Sequence, residues 1–314
     1  MITTPRTFLA SASSIVTSGA APVFADVDLN SQAITAESIQ AALTPKTKAV
    51  IVVHLAGMPA EMDAIMALSE QYGFYVIEDC AQAHGAKYKG RSVGTIGHIG
   101  AWSFCQDKIM TTGGEGGMVT TNDEALWSTM WSYKDHGKSF DAIYNRDHPP
   151  GFRWLHESFG TNWRMTEMQA AIGRIQLNRM LEWTAKRQEN AVRIDESVAD
   201  LNVVRRVRVP EYSEHAEYKH YLFIEPQNLA DGWTRDRIVE TIVDCGVPAY
   251  QGSCSEVYLE KAFDNTPWRP EKPLSNAVIL GNTSLMFLVH PTLTEQELSE
   301  TCKVIREVLL EAQR

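Results

Sequence analysis

The chain reads as an α/β protein, with a mostly parallel sheet carrying helices on both faces and a smaller α+β domain after it. Three observations point that way. Short apolar runs alternate with helical patterns through the first third, one of those runs ("AVIVVHL") is continuously apolar, and the character of the chain changes after about residue 180. A continuous β-branched run suits a strand buried on both faces, as in a parallel sheet covered by helices.

Taken in order, "PVFADV" (22–27) predicts a strand and "TAESIQAAL" (35–43) a helix opened by Thr35. "AVIVVHL" (49–55) is the buried strand, and "EMDAIMALSEQYG" (61–73) is a helix with Gly73 as its C-cap. "FYVIED" (74–79) is the next strand and ends on Asp79. In open parallel sheets ligands bind beyond the carboxyl ends of the strands, which is where Asp79 falls. Beyond "GAWSF" (100–104) and a glycine run, "GMVTT" (117–121) reads as one more strand. Residues 134–161 read as a long loop. "RMTEMQAAIGRIQLNRMLEW" follows, with Met165, Met168, Ile172 and Ile175 on one stripe, and predicts a long amphipathic helix leading out of the first domain. In the last third "YKHYLFIEP" and "SLMFLVHP" are strand-like and "TRDRIVETIVDCG" is a helix closed by Gly246. The final helix opens on a Thr294/Glu297 capping box and turns Leu298, Ile305 and Leu309 inward. The division expected is a large domain over 1–180, then a connecting helix and small domain over 181–314.

Composition narrows the function. With 29 Lys+Arg against 39 Asp+Glu the chain carries a formal charge of −10, which argues against a nucleic-acid or anionic-membrane surface. The cysteines Cys80, Cys105, Cys245, Cys254 and Cys302 form no C-x-x-C pair, and His54, His84 and His136 are scattered. Neither a metal site nor a disulfide framework is signalled, and reduced thiols fit a cytoplasmic protein. No membrane-length apolar run occurs. Ser11, Ser13, Ser14, Thr17 and Ser18 break the N-terminal stretch that a secretory leader would need continuous.

The chemistry-bearing residues cluster in "VIEDCAQAHG" (76–85), "WSFCQDK" (102–108) and the glycines Gly113, Gly114, Gly116 and Gly117. Lys108 precedes the glycines, so the G-x-x-x-x-G-K-[ST] order of a nucleotide loop is absent. A carboxylate at a strand end suits a magnesium ion, a ribose or a protonated ring nitrogen. A lysine in a pocket suits an imine, whereas a surface lysine suits an ion pair. A nicotinamide dehydrogenase is disfavoured, because no G-x-G-x-x-G follows an early strand. The glycines and Glu115 are expected to shape a tight turn, His84 to be a structural hydrogen bonder, and Trp102 and Trp163 to serve packing.

The stretch from Val76 to Asp123 resembles the core of the DegT/DnrJ/EryC1/StrS sugar aminotransferases, pyridoxal-phosphate enzymes of fold type I. "PVFADVDLNSQAIT", "VVHLAGMPAEMDAI", "DHG" (135–137) and "GTNWRMTEMQAAIGRIQL" match the same family in order, and "CGVPAYQGS" and "LVHPTLTEQEL" more weakly. The resemblance implies pyridoxal 5′-phosphate as cofactor, held as an imine on Lys108, which also shuttles a proton. It implies that Asp79 pairs with the pyridine nitrogen, Gln82 lies near the phenolic oxygen, and Ser103 binds the phosphate. Asn162 reaches that phosphate from a neighbouring subunit, which implies a homodimer with shared sites. Tyr250, Gln251 and Ser253 fall in the family's substrate-facing segment and take no role here. The implied reaction moves an amino group from L-glutamate to a nucleotide-linked keto sugar, for surface-polysaccharide or antibiotic pathways.

The family has an N-terminal portion ahead of the segment matched by "TTPRTFLASASSIVTSGAAPVFADVD". It supplies a Gly/Ser–Thr turn to the phosphate site, and the expectation is a chain truncated before it. Two alternatives follow, a non-catalytic or regulatory member and a keto-sugar dehydratase. The dehydratase branch carries histidine at the lysine position, and Lys108 speaks against it.

Overall fold

The computed structural model describes residues 1–314. Its larger sheet has six strands in the order Val23–Phe24, Ile2–Thr3, Ala49–Val53, Tyr75–Asp79, Ile99–Ser103 and Gly117–Thr120. All neighbours pair in parallel except the last two, which are antiparallel. The run at 49–53 is buried throughout, as its continuous apolar character requires. Helix Ala36–Ala42 opens on a Thr35–Ser38 capping box, and helix Met62–Tyr72 ends at Gly73 in the left-handed conformation, φ +70°.

The N-terminal stretch is built into this sheet. Ile2 and Thr3 lie between two parallel neighbours, and helix Ala10–Thr17 buries Ala12 and Ile15. The strand expected over 22–27 is shorter, only Val23–Phe24. Asp26 turns away instead and accepts the backbone N–H of Asn276 and Ala277, two unsatisfied donors at the start of helix Ser275–Thr283. The expected loop at 134–161 contains a short helix, Phe140–Tyr144, capped by Ser139.

The helix after it runs for 31 residues, Glu167–Ser197. Its second half contributes Ala191 and Ile194, and its C-cap Val198, to the C-terminal core. That core backs a four-stranded antiparallel sheet in the order Ala249–Tyr250, Ser284–Phe287, His220–Ile224 and Val204–Arg206. A small three-stranded sheet, Ser213–Glu214 with Lys87–Tyr88 and Arg91–Ser92, ties the connection between Val204–Arg206 and His220–Ile224 to the connection between Tyr75–Asp79 and Ile99–Ser103. No helix is long and apolar enough to cross a membrane, and all five cysteines are free.

Candidate active site

Asp79 stands at the carboxyl end of its strand with both carboxylate oxygens engaged. Oδ1 accepts the N–H of Ala81 at 3.1 Å, and Oδ2 accepts the hydroxyl of Ser11 at 2.7 Å. The Ser11 hydroxyl is in turn 2.8 Å from that of Thr7. A carboxylate held by two donors in this way is oriented as well as charged. Asp79 and Ser11 share a cavity of about 400 Å³ with Ser14, Ala81, Trp102 and Ser103. Phe8, one residue past Thr7, presents an exposed ring.

Directly behind Asp79 lies a fully buried carboxylate, Glu78. Its Oε1 accepts the N–H of Ile96 and Gly97, and its Oε2 accepts Gly94 N–H and His54 Nε2. His54 Nδ1 accepts the N–H of Ala60, so the ring proton sits on Nε2 and points at Glu78. Burial pushes the Glu78 carboxyl up, but the His54 bond and the backbone donors outweigh it and hold it below its ordinary value. Cys80 lies close enough that His54, Glu78 and Cys80 offer atoms within 4.8 Å of one another. Both His54 nitrogens and both Glu78 oxygens are already partnered, so the cluster is a brace for the strand end. Burial and the charges of Glu78 and Asp79 keep the Cys80 thiol protonated.

Ser103 ends the neighbouring strand, and the chain then enters the loop that carries Lys108. The loop is pinned at its base, where Phe104 N–H donates to Gly116 O and Thr112 N–H to Phe104 O. A Cβ on Gly116 would lie 2.4 Å from the Thr112 hydroxyl, and Gly113 has φ +78°. The glycines therefore shape the turn, as the sequence suggested. Lys108 projects inward, its side chain only 16 % exposed, with Nζ 4.0 Å from Asp107 and 5.3 Å from the centre of the Tyr218 ring.

Gln82 and Asp107, the neighbour of Lys108, belong to one hydrogen-bonded frame. Gln82 Oε1 accepts Ala56 N–H at 2.7 Å, Ala56 O accepts Tyr218 N–H at 2.8 Å, and the Tyr218 hydroxyl donates to Asp107 at 2.7 Å. Close approach of the two backbones needs Gly57, whose Cβ would meet that of Ala216 at 2.9 Å. His84 is buried against Trp102 and Phe104, and neither ring nitrogen has a side-chain or backbone partner of good geometry. Burial, then the Lys108 charge, pushes it down to about 4, so the ring is neutral. The expectation of a hydrogen-bonding His84 is thus replaced by a packed aromatic ring.

Asn162 is exposed and lies outside the cavity of Asp79 and Ser103; its backbone pairs with Asp135. Trp102 packs as expected, whereas Trp163 is largely exposed. The Met168–Ile172–Ile175 stripe is uncovered too, Met168 being 78 % exposed. The residues this helix buries are others, among them Gly173, Met180, Thr184 and Arg187.

Sequence reasoning overlooked Ser11, Thr7, Glu78 and Tyr218. Ser11 was visible only as one of the serines breaking an apolar stretch, and nothing local marks it as the partner of Asp79.

The DegT/DnrJ/EryC1/StrS aminotransferase family matches residues 1–306. The chain belongs to this family. An aminotransferase from Psychrobacter cryohalolentis, solved by X-ray, is 62 % identical with a TM-score of 0.97, over 99 % of this chain and 81 % of that one. The GDP-perosamine synthase of Escherichia coli O157:H7 is 39 % identical over 303 residues, 96 % of this chain and 76 % of the relative. The UDP-N-acetyl-3-dehydro-alpha-D-glucosamine 3-aminotransferase of Acidithiobacillus ferrooxidans is 33 % identical, again over 96 % and 76 %. The fold is that of the fold type I aminotransferases.

The DegT/DnrJ/EryC1/StrS family uses pyridoxal phosphate, and the residues present suit it. An oriented carboxylate lines a cavity at the sheet edge, a hydroxyl lines the same cavity, and an inward-facing lysine follows on the adjoining loop.

Proposed function

We propose that this chain is a pyridoxal-phosphate-dependent aminotransferase that moves an amino group from L-glutamate to a nucleotide-linked keto sugar. The observation that carries the reading is the doubly held Asp79 carboxylate in the Ser103-lined cavity, next to the loop of the inward-facing Lys108. Two of the relatives named above carry nucleotide-linked sugars in their names, which supports the acceptor class.

Bound pyridoxal phosphate would supply the reactive carbonyl and a ring that accepts electrons. Lys108 would hold the carbonyl carbon through its amine and then move a proton at Nζ. Asp79 would pair with the protonated ring nitrogen, and Ser11 and the Ala81 N–H hold its carboxylate in one orientation. Ser103 would hold the phosphate, Gln82 the ring oxygen, and Asn162 the phosphate of a second copy. The uncovered apolar stripe on helix Glu167–Ser197 supports such a homodimer, since an exposed patch of that kind marks an interaction face.

The test uses purified protein with added pyridoxal phosphate. Borohydride should fix a pyridoxyl group on Lys108, read by peptide mass, and Lys108→Ala should abolish both labelling and transamination. A protein that takes up no cofactor would refute the reading and leave a non-catalytic member of the family. Turnover retained in Lys108→Ala would remove Lys108 from its role.

A further inference from the structure

Tyr218 and Lys219 sit on a turn that the protein takes trouble to hold. Glu217 adopts φ +49°, a conformation uncommon for a residue with a side chain. Its carboxylate is buried beside two histidines, 3.4 Å from His215 Nδ1 and 3.3 Å from His220 Nδ1. His220 Nε2 reaches Asp195 on the long helix at 3.1 Å. From the same helix Arg187 donates to the carbonyl oxygens of both Glu217 and Tyr218, at 3.3 Å each. The segment is therefore tied at both ends and along its backbone.

What this turn presents is an ammonium without a counter-ion. Lys219 is half-buried, and its Nζ makes no ion pair and no hydrogen bond with the protein. It stands 5.0 Å from the centre of the Tyr218 ring, the ring that Lys108 Nζ approaches at 5.3 Å. Burial, Arg187 and Lys108 all disfavour its charge, and Asp107 is the carboxylate that favours it. Asp107 is already bonded to the Tyr218 hydroxyl and faces Lys108. A partly desolvated cation among like charges is stabilised when an anion arrives.

We propose that Lys219 anchors a carboxylate of the amino donor, beside the reacting amine of Lys108. This rests on the aminotransferase reading above and names a substrate contact within it. An amino acid carries its α-carboxylate on the very carbon that bears the amino group. Its anion must therefore lie close to the lysine that works on that carbon, and Lys219 and Lys108 approach the same Tyr218 ring. In a nucleotide-linked sugar the diphosphate is attached at the anomeric carbon, so its distance from the reacting carbon varies with the position aminated. The amino donor is the better match.

The experiment compares wild type, Lys219→Met and Lys219→Arg, each loaded with pyridoxal phosphate. In Lys219→Met the KM for L-glutamate should rise at least about tenfold, with Lys219→Arg recovering most of it. Binding of 2-oxoglutarate to the pyridoxamine-phosphate form, titrated by absorbance without turnover, should weaken by a similar factor. Cofactor content after acid release should be the same in all three proteins. An unchanged glutamate KM with normal cofactor content overturns the inference and leaves the aminotransferase reading standing. A raised keto-sugar KM with the glutamate KM unchanged also overturns it, since the anchor would then belong to the sugar. Failure of wild type itself to take up cofactor refutes the underlying reading instead.

Discussion

Replacing Glu78 with glutamine isolates the brace behind Asp79. The carboxylate accepts four hydrogen bonds, from Ile96 N–H at 2.8 Å, Gly97 N–H at 2.6 Å, Gly94 N–H at 2.8 Å and His54 Nε2 at 3.0 Å. A glutamine amide has one oxygen, so either rotamer sets its NH₂ against two donors. His54 cannot turn round to accept, because its Nδ1 already takes the N–H of Ala60 at 3.1 Å. Each buried unsatisfied donor costs about 1–3 kcal/mol. Two of them give a destabilisation of roughly 2–6 kcal/mol. That is a large part of the ~5–15 kcal/mol a folded protein has in hand. The assay is urea unfolding followed by tryptophan fluorescence at pH 7.5, wild type against Glu78→Gln. Because the Glu78 carboxyl is held low in the folded state, its stabilisation is present above the ordinary carboxylate range and lost as pH falls through the folded value. The variant should therefore also show a flatter acid limb than wild type. A loss under ~1 kcal/mol, or an unchanged acid limb, would refute the saturated-brace argument.

Ser11→Ala removes the hydroxyl that donates to Asp79 Oδ2 at 2.7 Å. A hydrogen bond to a charged group contributes about 1.5–3 kcal/mol, so pyridoxal-phosphate affinity and kcat/KM together should fall about tenfold or more. Fluorescence titration and steady-state rates measure this, and no change in either would show that Ser11 does not position Asp79. The buried His220 gives a stability prediction at the other end of the pH scale. Burial lowers its pKa, but bonds to Asp195 and then Glu217 outweigh that and raise it to about 9, with His215 the other titrating neighbour. Its contribution is complete below about pH 6.5 and disappears as pH rises through about 9, on the order of 3 kcal/mol in all. Urea midpoints from pH 6 to 10 should fall in wild type and stay flatter in His220→Phe; parallel curves would contradict it.

The division between what the sequence disclosed and what it hid follows chain separation. Asp79, Gln82, Ser103 and Lys108 lie within a short stretch around two strand ends, so one contiguous family resemblance points to them together. The partners that orient them come from far away in sequence. Ser11 reaches Asp79 across 68 positions, and Tyr218 reaches Asp107 across 111. Periodicity reports which face of an element is apolar, and it cannot say which hydroxyl meets which carboxylate. The same limit explains the stripe of Met168, Ile172 and Ile175. Its spacing correctly gave a helix, but apolar spacing is identical for a face that meets its own core and one left uncovered. In "PVFADV" the local pattern lost to a distant need, the donors of helix Ser275–Thr283 that Asp26 satisfies.

The long helix ties these strands of argument together. Its first half leaves Met168, Ile175, Leu177 and Leu181 exposed, the last 79 % exposed. Its second half carries Arg187 and Asp195, the two residues that clamp the Glu217–His220 turn. A partner seated on the first half would therefore press on the element that sets the position of Tyr218, the ring that both Lys108 and Lys219 approach. Packed helices move as rigid units, because interiors are close to crystal density. The proposed second copy would then act through this helix as well. It would stiffen the geometry of the donor carboxylate relative to the lysine, and in that case dilution of a dimer should raise the glutamate KM before it removes the cofactor.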